Sequence, residues 1–345
     1  ESELVEEIVA DVRQKLDHTG KIGIYPRLMK IENLLCKQPW GIRSLGIWGM
    51  GGIGKSTLAE AAFEQLSGDF EAACFIKDFD IAFQEKGAYG LLEEHLGKKL
   101  GLKNPVTREK LRHKRIMVVL DDVHKPVGAT TFLGWFDLLG PRSLIIITSR
   151  DKQLLVQCRV KDIYEVQGLD EHEASPLFSR HVTYQNLVEL VDYANGNPLA
   201  LSIFGRELEG IKPPAMESAV GKLKRHLSIE IFDTFKKSYD ALSDSEKEIF
   251  LVIVCFLRGD NVEYVIQLLA GCGFFPHVGI DVLVDKSLVF ISDKRVKMHD
   301  LICNVGLKII RDQIEETEMG YRFLDASNIQ SLQEENEEPK AAPKQ

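Results

Sequence analysis

Residues 46–57 read GIWGMGGIGKST, and they carry the clearest chemical signal in the sequence. Gly49, Gly54, Lys55 and Ser56 match the pattern G-x-x-x-x-G-K-[ST], which is typical of loops that bind phosphate groups. Glycines let successive backbone N–H groups point into an anion, while the lysine reaches the β- and γ-phosphates and the hydroxyl binds Mg²⁺. A glycine-rich turn without a ligand is the plain alternative, but a strand before the loop and a helix after it favour a nucleotide site.

Two adjacent acidic residues follow the apolar part of the segment RIMVVLDDV at residues 115–123. Because the carboxyl ends of parallel strands share one edge of a sheet, we expect Asp121 to meet Mg²⁺ beside Ser56. Asp122 would then polarise a water molecule for attack on the γ-phosphate, which makes both acids candidate catalytic residues. Adjacent acids at a strand end also suit a helix cap or a solvated turn, and only the phosphate loop favours the metal site.

Arg150 ends another apolar segment, IIITSRD, and we expect it at the same edge of the sheet, facing the phosphates. A guanidinium in that place can sense a γ-phosphate or stabilise charge as it develops. A salt bridge to the neighbouring Asp151 is the alternative.

The elements around these residues follow a regular order between residues 41 and 170. Apolar segments at 44–49, 71–79, 114–123, 142–151 and 162–169 predict strands, with helical patterns at 55–66 and 88–100 between them. Near-continuous apolar strands that alternate with helices predict a parallel sheet covered by helices on both faces. The expected fold class is α/β, of the P-loop NTPase type, followed by a helical subdomain and a winged-helix subdomain.

The chain changes to helical periodicity after residue 170, with predicted N-caps at Asp170, supported by Glu173, and at Ser243. Three helices and the hairpin LVFIS-DK-RVKMH then indicate a winged helix. The predicted segments are an N-terminal helical linker (1–40), a nucleotide-binding domain (41–170), a helical subdomain (171–235), a winged-helix subdomain (236–312) and a partly disordered tail (313–345).

The composition of the 345-residue chain limits its possible functions. A net charge of -9 argues against direct nucleic-acid binding. The six cysteines form no C-x-x-C pair, so we expect buried free thiols in a reducing compartment. No apolar run approaches the ~20 residues that a membrane span needs. These features predict a soluble intracellular protein without a membrane partner.

Five motifs in sequence order resemble the NB-ARC module of plant intracellular immune receptors, the nucleotide-binding leucine-rich-repeat (NLR) class. They are GMGGIGKST, MVVLDDV, IIITSRD, GNPLAL and MHD at residues 298–300, and the likeness spans residues 15–312. The segments IGIYPRLMKIENLL and LSDSEKEIFL resemble the TIR-type branch of that family.

The resemblance implies a molecular switch that holds ADP when closed and off. Exchange for ATP with Mg²⁺ would open it for oligomerisation and defence signalling, and hydrolysis would be slow at most. Its partners would be the leucine-rich-repeat and TIR domains of the same receptor and a paired or identical NLR, in the cytoplasm, the nucleus or both.

The resemblance also implies roles for single residues. Pro198 would line the adenine, opposite Ile22 and Gly23. His299 would reach the β-phosphate from the winged helix, although an ordinary histidine at a helix start is the alternative. The implied nucleotide-binding residues are Ile22, Gly23, Gly49, Gly51, Gly52, Ile53, Gly54, Lys55, Ser56, Thr57, Arg150, Pro198, Leu199 and His299.

One departure from the family pattern bears on function. Val252, in the segment FLVIVCFL, stands where the family usually has an aspartate, which removes a polar contact near the winged helix. Three other functions stay open: an ATPase or kinase with rapid turnover, a non-switching scaffold stabilised by nucleotide, and a winged-helix DNA-binding protein. DNA binding ranks last, because the candidate recognition helix HVGIDVLVDKSL carries two acids and one lysine.

Overall fold

A computed structural model describes residues 21–38, 41–97, 99–101, 106–137, 139–178 and 182–316. The chain divides into two compact units, residues 1–226 and 227–345, which are described separately below. Residues 1–20 of the predicted helical linker and the tail beyond residue 316 lie outside the described residues. The helix Asp300–Glu316 includes residues 313–316, the first four residues of the predicted tail.

The first unit is built on a five-stranded parallel sheet with the order β2-β3-β4-β1-β5. This result confirms the predicted fold class. The strands are shorter than their apolar segments suggest; β3 ends at Leu120 because Asp122 turns into the left-handed region at φ 55°. The strands are β1 (Arg43–Trp48), β2 (Ala72–Ile76), β3 (Ile116–Leu120), β4 (Leu144–Ser149) and β5 (Asp162–Glu165).

Helices accompany the sheet, and in the described residues after β5 they continue without further strands to the end of the first unit. The helix predicted at 88–100 is different in the structure: it begins at Phe79, contains a break at Gly87 (φ 64°) and ends in a π-helical turn, Glu93–Gly97. The helices of this unit are α1 (Ile24–Cys36), α2 (Lys55–Leu66), α3 (Phe79–Leu92), α4 (Arg108–Leu111), α5 (Pro126–Leu133), α6 (Lys152–Gln157), α7 (Glu171–Ala174), α8 (Tyr184–Ala194), α9 (Pro198–Glu207) and α10 (Pro213–Arg225).

Apolar strands buried on both faces form the core of the first unit. Every residue of β3, Ile116–Leu120, is buried, as expected for a central strand covered on both sides. Phe79, Phe132 and Phe136 pack edge to face beside it, with ring centroids 5.6 and 5.2 Å apart. This packing holds the carboxyl ends of the strands in fixed positions.

The second unit combines helices with a short hairpin, as the sequence predicts for a winged helix. Asp293 and Lys294 both have positive φ (55° and 59°), as a two-residue type I′ turn requires. The helix Ile229–Asp240 lies wholly in this unit, although the predicted subdomain boundary cuts it at residue 235. The elements are α11 (Ile229–Asp240), α12 (Asp244–Val252), α13 (Val262–Gly271), α14 (Pro276–Asp285), β6 (Phe290–Ser292), β7 (Arg295–Lys297) and α15 (Asp300–Glu316).

The predicted helix caps are present, whereas the expected burial of the thiols is only partly correct. Asp170 with Glu173, and Ser243 with Glu246, form capping boxes. All six cysteines are free, but Cys36 is exposed at the end of α1. Cys255 is also exposed, because it lies in a π-helical turn, Ile253–Leu257, that directs it outward. Within the described ranges, each helix is too short or too polar to cross a lipid bilayer.

Candidate nucleotide-binding site

The loop between β1 and α2 depends on glycine for its backbone conformation. Gly49, Gly52 and Gly54 have φ values of 149°, 75° and 97°, a region that residues with a side chain rarely adopt. A Cβ atom on Gly52 would also lie 2.9 Å from Asn197 Oδ1 and 2.9 Å from Leu199 Cβ. Glycine at position 52 is therefore required by both conformation and space. Beside it, Ile53 and Gly51 are buried.

Lys55 is the first residue of α2 and is buried, with 6% exposure. Its Nζ atom donates hydrogen bonds to the carbonyl oxygens of Gly49 and Met50, both at 2.9 Å. Burial, together with the positive charge of the nearby Arg150, lowers the pKa of Lys55 to about 7. The ammonium group therefore lies where an anion would stabilise its charged form.

Asp121 follows β3 and lies in contact with two hydroxyl groups. Thr148 Oγ1 donates to Asp121 Oδ1 at 2.7 Å, and the Ser56 hydroxyl is hydrogen-bonded to the same carboxylate. Burial raises the pKa of Asp121, and the two hydrogen bonds counteract that effect. The two predicted metal ligands, Ser56 and Asp121, thus contact one another, and their role with Mg²⁺ stays a prediction.

Asp122 is held at the same edge of the sheet by backbone and side-chain contacts. Its N–H donates to Thr148 Oγ1 at 2.8 Å, and its carboxylate lies 3.2 Å from His124 Nε2 and 3.9 Å from Arg150 Nε. The hydrogen bond with His124, helped by the charges of Arg150 and Lys55, lowers the pKa of Asp122 to about 2. A carboxylate with so low a pKa accepts protons weakly, which favours an electrostatic role over general-base chemistry.

Arg150 follows β4 and points toward the acidic pair. Its side chain is 15% exposed and forms the ion pair with Asp122. Asp151, the partner that the alternative interpretation names, accepts a hydrogen bond from Leu154 N–H at 3.2 Å and caps α6. The structure therefore brings Arg150, Asp122 and Lys55 together at one edge of the sheet.

Asn197 connects the phosphate loop to the helical part of the first unit. It is fully buried; its Nδ2 donates to Gly51 O at 2.9 Å, and its Oδ1 accepts from Ala200 N at 3.2 Å, which caps α9. Leu199 N–H donates to Gly52 O at 3.3 Å. Sequence reasoning named Pro198 and Leu199 but missed Asn197, although an asparagine before a proline is a typical helix start.

The N-terminal segment is fixed to the same region by Arg27, which sequence reasoning also missed. Arg27 is buried and donates to Gln167 O at 3.0 Å, to Gly168 O at 2.5 Å and to Gly23 O. It also forms a bidentate pair with Glu173 at 2.8 and 3.0 Å.

A cavity of about 640 Å³ adjoins this arginine, and its lining residues come from the ranges 21–30 and 167–176. Ile22 and Gly23, predicted on the adenine side, lie in that lining. Pro198 instead opens α9, which contacts the loop.

In the second unit, His299 immediately precedes α15. Its ring stacks on Phe290, with centroids 4.6 Å apart and planes 25° from parallel. Burial lowers the pKa of His299, and the charge of Asp300 partly opposes this shift. Asp300 pairs with Arg258. Val252 is buried in α12, with 1% exposure.

Comparisons with known protein families agree with this arrangement. The NB-ARC domain model matches residues 26–188, and the model described as "Disease resistance protein Roq1-like, winged-helix domain" matches residues 243–314. The NB-ARC match implies a nucleotide-binding domain.

The curated relatives are plant disease resistance proteins. The chain is 64% identical to "Probable disease resistance protein At4g19520" and 52% identical to "Disease resistance protein RRS1B", both of Arabidopsis thaliana. It is 37% identical to "TMV resistance protein N" of Nicotiana glutinosa. These alignments cover 98%, 99% and 91% of the chain but only 20%, 26% and 29% of the relatives. The chain thus spans less than a third of the length of these proteins.

A solved structure confirms the fold alone. The chain resembles the Walker-type ATPase PABY2304 of Pyrococcus abyssi with a TM-score of 0.57 and 17% identity, over 82% of this chain and 95% of that one.

Proposed function

Residues 26–188 belong to the NB-ARC family and residues 243–314 to the Roq1-like winged-helix family, and from this premise we propose a nucleotide-operated switch module of a plant immune receptor. In the proposed resting state the chain holds ADP and is closed. Exchange for ATP opens it, and the open form assembles with other receptor chains.

One observation carries the proposal: the buried side chain of Asn197, beside a backbone hydrogen bond from Leu199 N–H to Gly52 O, joins the phosphate loop to α9. Asn197 donates to Gly51 O and at the same time caps α9, so the conformation of the loop is coupled to the start of that helix. A change in the phosphates on the loop would therefore be transmitted into the helical part of the unit. A loop used only for rapid turnover needs no such connection.

The residues of the loop are suited to binding a nucleoside diphosphate. Lys55 is a buried cation whose hydrogen bonds go to two neutral carbonyl oxygens, and a phosphate would supply the missing negative charge. We propose that the glycine N–H groups, Lys55, Ser56 and Thr57 hold the phosphates and that Ile22, Gly23 and Pro198 flank the base. With ATP, Mg²⁺ would neutralise charge on the β- and γ-phosphates, and Ser56 and Asp121 are the residues that would hold it.

His299 is the proposed latch between nucleotide and winged helix. Burial lowers the pKa of His299 and so favours the neutral ring, in which one nitrogen is a donor and the other an acceptor. Stacking on Phe290 fixes the orientation of that ring. A hydrogen bond from His299 to the β-phosphate would exist only in the closed state and would favour that state.

A slow ATPase is the second candidate, and one observation bears on its rate. Asp122 has a pKa of about 2, so it is a weak base for activating water. We therefore propose slow hydrolysis that resets the switch. The complete receptor would place TIR and leucine-rich-repeat domains beside this chain and would act in the cytoplasm, the nucleus or both.

The nucleotide that the purified chain carries tests the proposal. The protein is denatured, the released nucleotide is identified by anion-exchange chromatography, and Lys55→Ala is compared with Lys125→Ala, which removes an exposed lysine instead. We expect stoichiometric ADP in the wild type and in Lys125→Ala, and none in Lys55→Ala. If no nucleotide is found and added ADP leaves the melting temperature unchanged, the switch proposal fails and a non-switching scaffold without nucleotide replaces it.

A further inference from the structure

Three arginines converge at the edge of the sheet opposite the phosphate loop. Arg43 is the first residue of β1, Arg115 directly precedes β3, and Arg142 lies two residues before β4. Since β3, β4 and β1 are neighbouring parallel strands, their amino ends share one edge. The arginines surround a cavity of about 500 Å³, here called the basic pocket, which is lined by Leu35, Cys36, Gln38, Arg43, Asp69, Phe70, Arg115 and Arg142.

The basic pocket is positively charged in a chain whose net charge is -9. Its lining contains three guanidinium groups and one carboxylate, that of Asp69. Burial and the charge of Arg142 lower the pKa of Arg43, which shows that the positive charges are close enough to repel one another. An anion in the pocket would relieve that repulsion.

Two of the three arginines, Arg115 and Arg43, have side chains held in place by the protein around the pocket. Arg115 donates to Asp69 O and lies over the Phe70 ring, 5.8 Å from its centroid. Arg43 Nη2 donates to Arg142 O at 3.1 Å. Groups fixed in this way lose little further side-chain entropy when a ligand binds.

One donor in the pocket is buried and needs an acceptor. Among the residues that the structure describes, none accepts a hydrogen bond from Arg43 Nε, which is shielded from solvent. A buried guanidinium N–H without an acceptor costs free energy, and an anionic oxygen satisfies it well. Together with the three positive charges, this donor points to an anionic ligand.

We propose that the basic pocket binds a small, soluble, phosphate-bearing molecule with at least two negative charges. Its volume lies within the range of small-molecule sites, about 300–1,000 Å³. A dissolved molecule can enter the cavity and contact the exposed Arg115 and Arg142, whereas a flat membrane surface could contact only the rim of the cavity. This site is separate from the phosphate loop, because the two lie at opposite edges of the sheet.

Alkylation of Cys36 provides a test that reports on this pocket alone. Cys36 lines the pocket and is exposed, and Cys255 is an exposed thiol in the other unit. The rate of iodoacetamide modification at each cysteine is measured by peptide mass spectrometry, with and without inorganic pyrophosphate. We expect pyrophosphate to slow modification at Cys36 and not at Cys255, whether or not it also binds the phosphate loop.

Variants that replace arginine with uncharged glutamine then test whether the arginines cause the protection of Cys36. In Arg115→Gln/Arg142→Gln the pyrophosphate concentration for half-protection should rise by at least about tenfold, because each guanidinium contributes a charge-assisted hydrogen bond. Arg225→Gln, an exposed arginine of the same unit outside the pocket, should behave as wild type. If the double variant does not fold, Arg142→Gln alone should show a smaller increase.

Three results would overturn the proposal. They are equal rates at Cys36 with and without pyrophosphate, protection that persists in the arginine variants, and protection by phosphatidylserine vesicles with none by pyrophosphate.

Discussion

The phosphate-loop region and the winged-helix unit hold their key residues in different ways. Around the loop, Lys55, Asp121 and Asn197 are buried and bonded to backbone or to neighbouring side chains of the sheet edge. In the second unit, His299 is half-buried and is oriented by stacking on Phe290. The ion pair beside it, Arg258–Asp300, leaves its two side chains 40% and 52% exposed.

The phosphate-loop site is formed within the first unit. The proposed role of His299, in contrast, depends on a nucleotide held by the other unit. The loop geometry follows from strands and helices that enclose it, so substitutions there should change stability as well as binding. Within its own unit, His299 stacks on Phe290 and its carbonyl oxygen accepts a hydrogen bond from Cys303 N–H in α15. Substitution of His299 should therefore change nucleotide retention far more than it changes the stability of the fold.

The largest expected difference in stability is between two Asn→Ala variants, each at the N-cap of a helix. Asn197→Ala should lower the free energy of unfolding by about 2–4 kcal/mol, because it removes an N-cap and leaves Gly51 O buried without its donor. Asn261→Ala should cost only about 1 kcal/mol, because exposed Asn261 acts only as an N-cap, accepting from Glu263 N.

Urea unfolding separates these two effects. All 3 tryptophans belong to the first unit by sequence, so tryptophan fluorescence follows Asn197→Ala, while circular dichroism follows Asn261→Ala. Equal losses in the two variants would show that Asn197 is an ordinary cap and would remove the proposed coupling.

The next effect concerns the buried charge of Lys55 in nucleotide-free protein. Its pKa is about 7 in the folded chain and ~10.4 when unfolded, so between these values the unfolded chain binds more protons. The free energy of unfolding should therefore rise with pH through that window, by at most about 1.4 kcal/mol per pH unit, and stay flat below it. Lys55→Met should have a smaller slope in a pH series of thermal unfolding; an unchanged slope would refute the burial argument.

The smallest effect is expected beside His299. Asp300→Asn removes an exposed ion pair and should change the free energy of unfolding by less than about 1 kcal/mol. Because the charge of Asp300 raises the pKa of His299, its loss should lower that pKa further. An NMR titration of the His299 ring measures the shift, and a higher pKa in the variant would contradict this account.

Much of the first unit could be predicted from the sequence because its signals are local. The loop pattern and the apolar strands gave the parallel sheet and the bounds of α2, and strand ends placed Asp121 and Arg150 at one edge. The contacts of Asn197 and Arg27 depend on backbone oxygens brought together by folding, such as Gly51 O and Gly168 O. A local pattern can indicate the cap at Asn197, but it cannot identify these backbone oxygens as partners, and both residues were missed.

Predictions were weaker where burial depends on helix geometry. Cys255 lies within an apolar segment, and only the π-helical turn explains its exposure. Likewise, the adjacent acids Asp121 and Asp122 look alike in sequence. Burial raises the pKa of Asp121, whereas contact with His124 lowers that of Asp122. The different chemical roles of Asp121 and Asp122 can therefore be assigned only from the three-dimensional structure.

The release rate of fluorescent ADP from the whole chain tests the central claim, that His299 retains the nucleotide held by the loop. His299→Phe keeps a ring beside Phe290 but removes the hydrogen-bond donor, and His277→Ala changes an exposed histidine of the same unit. The account predicts that His299→Phe releases ADP about tenfold faster, as expected for one lost charge-assisted hydrogen bond, while His277→Ala matches wild type. Equal release from His299→Phe and wild type, with an unchanged melting temperature, would contradict it.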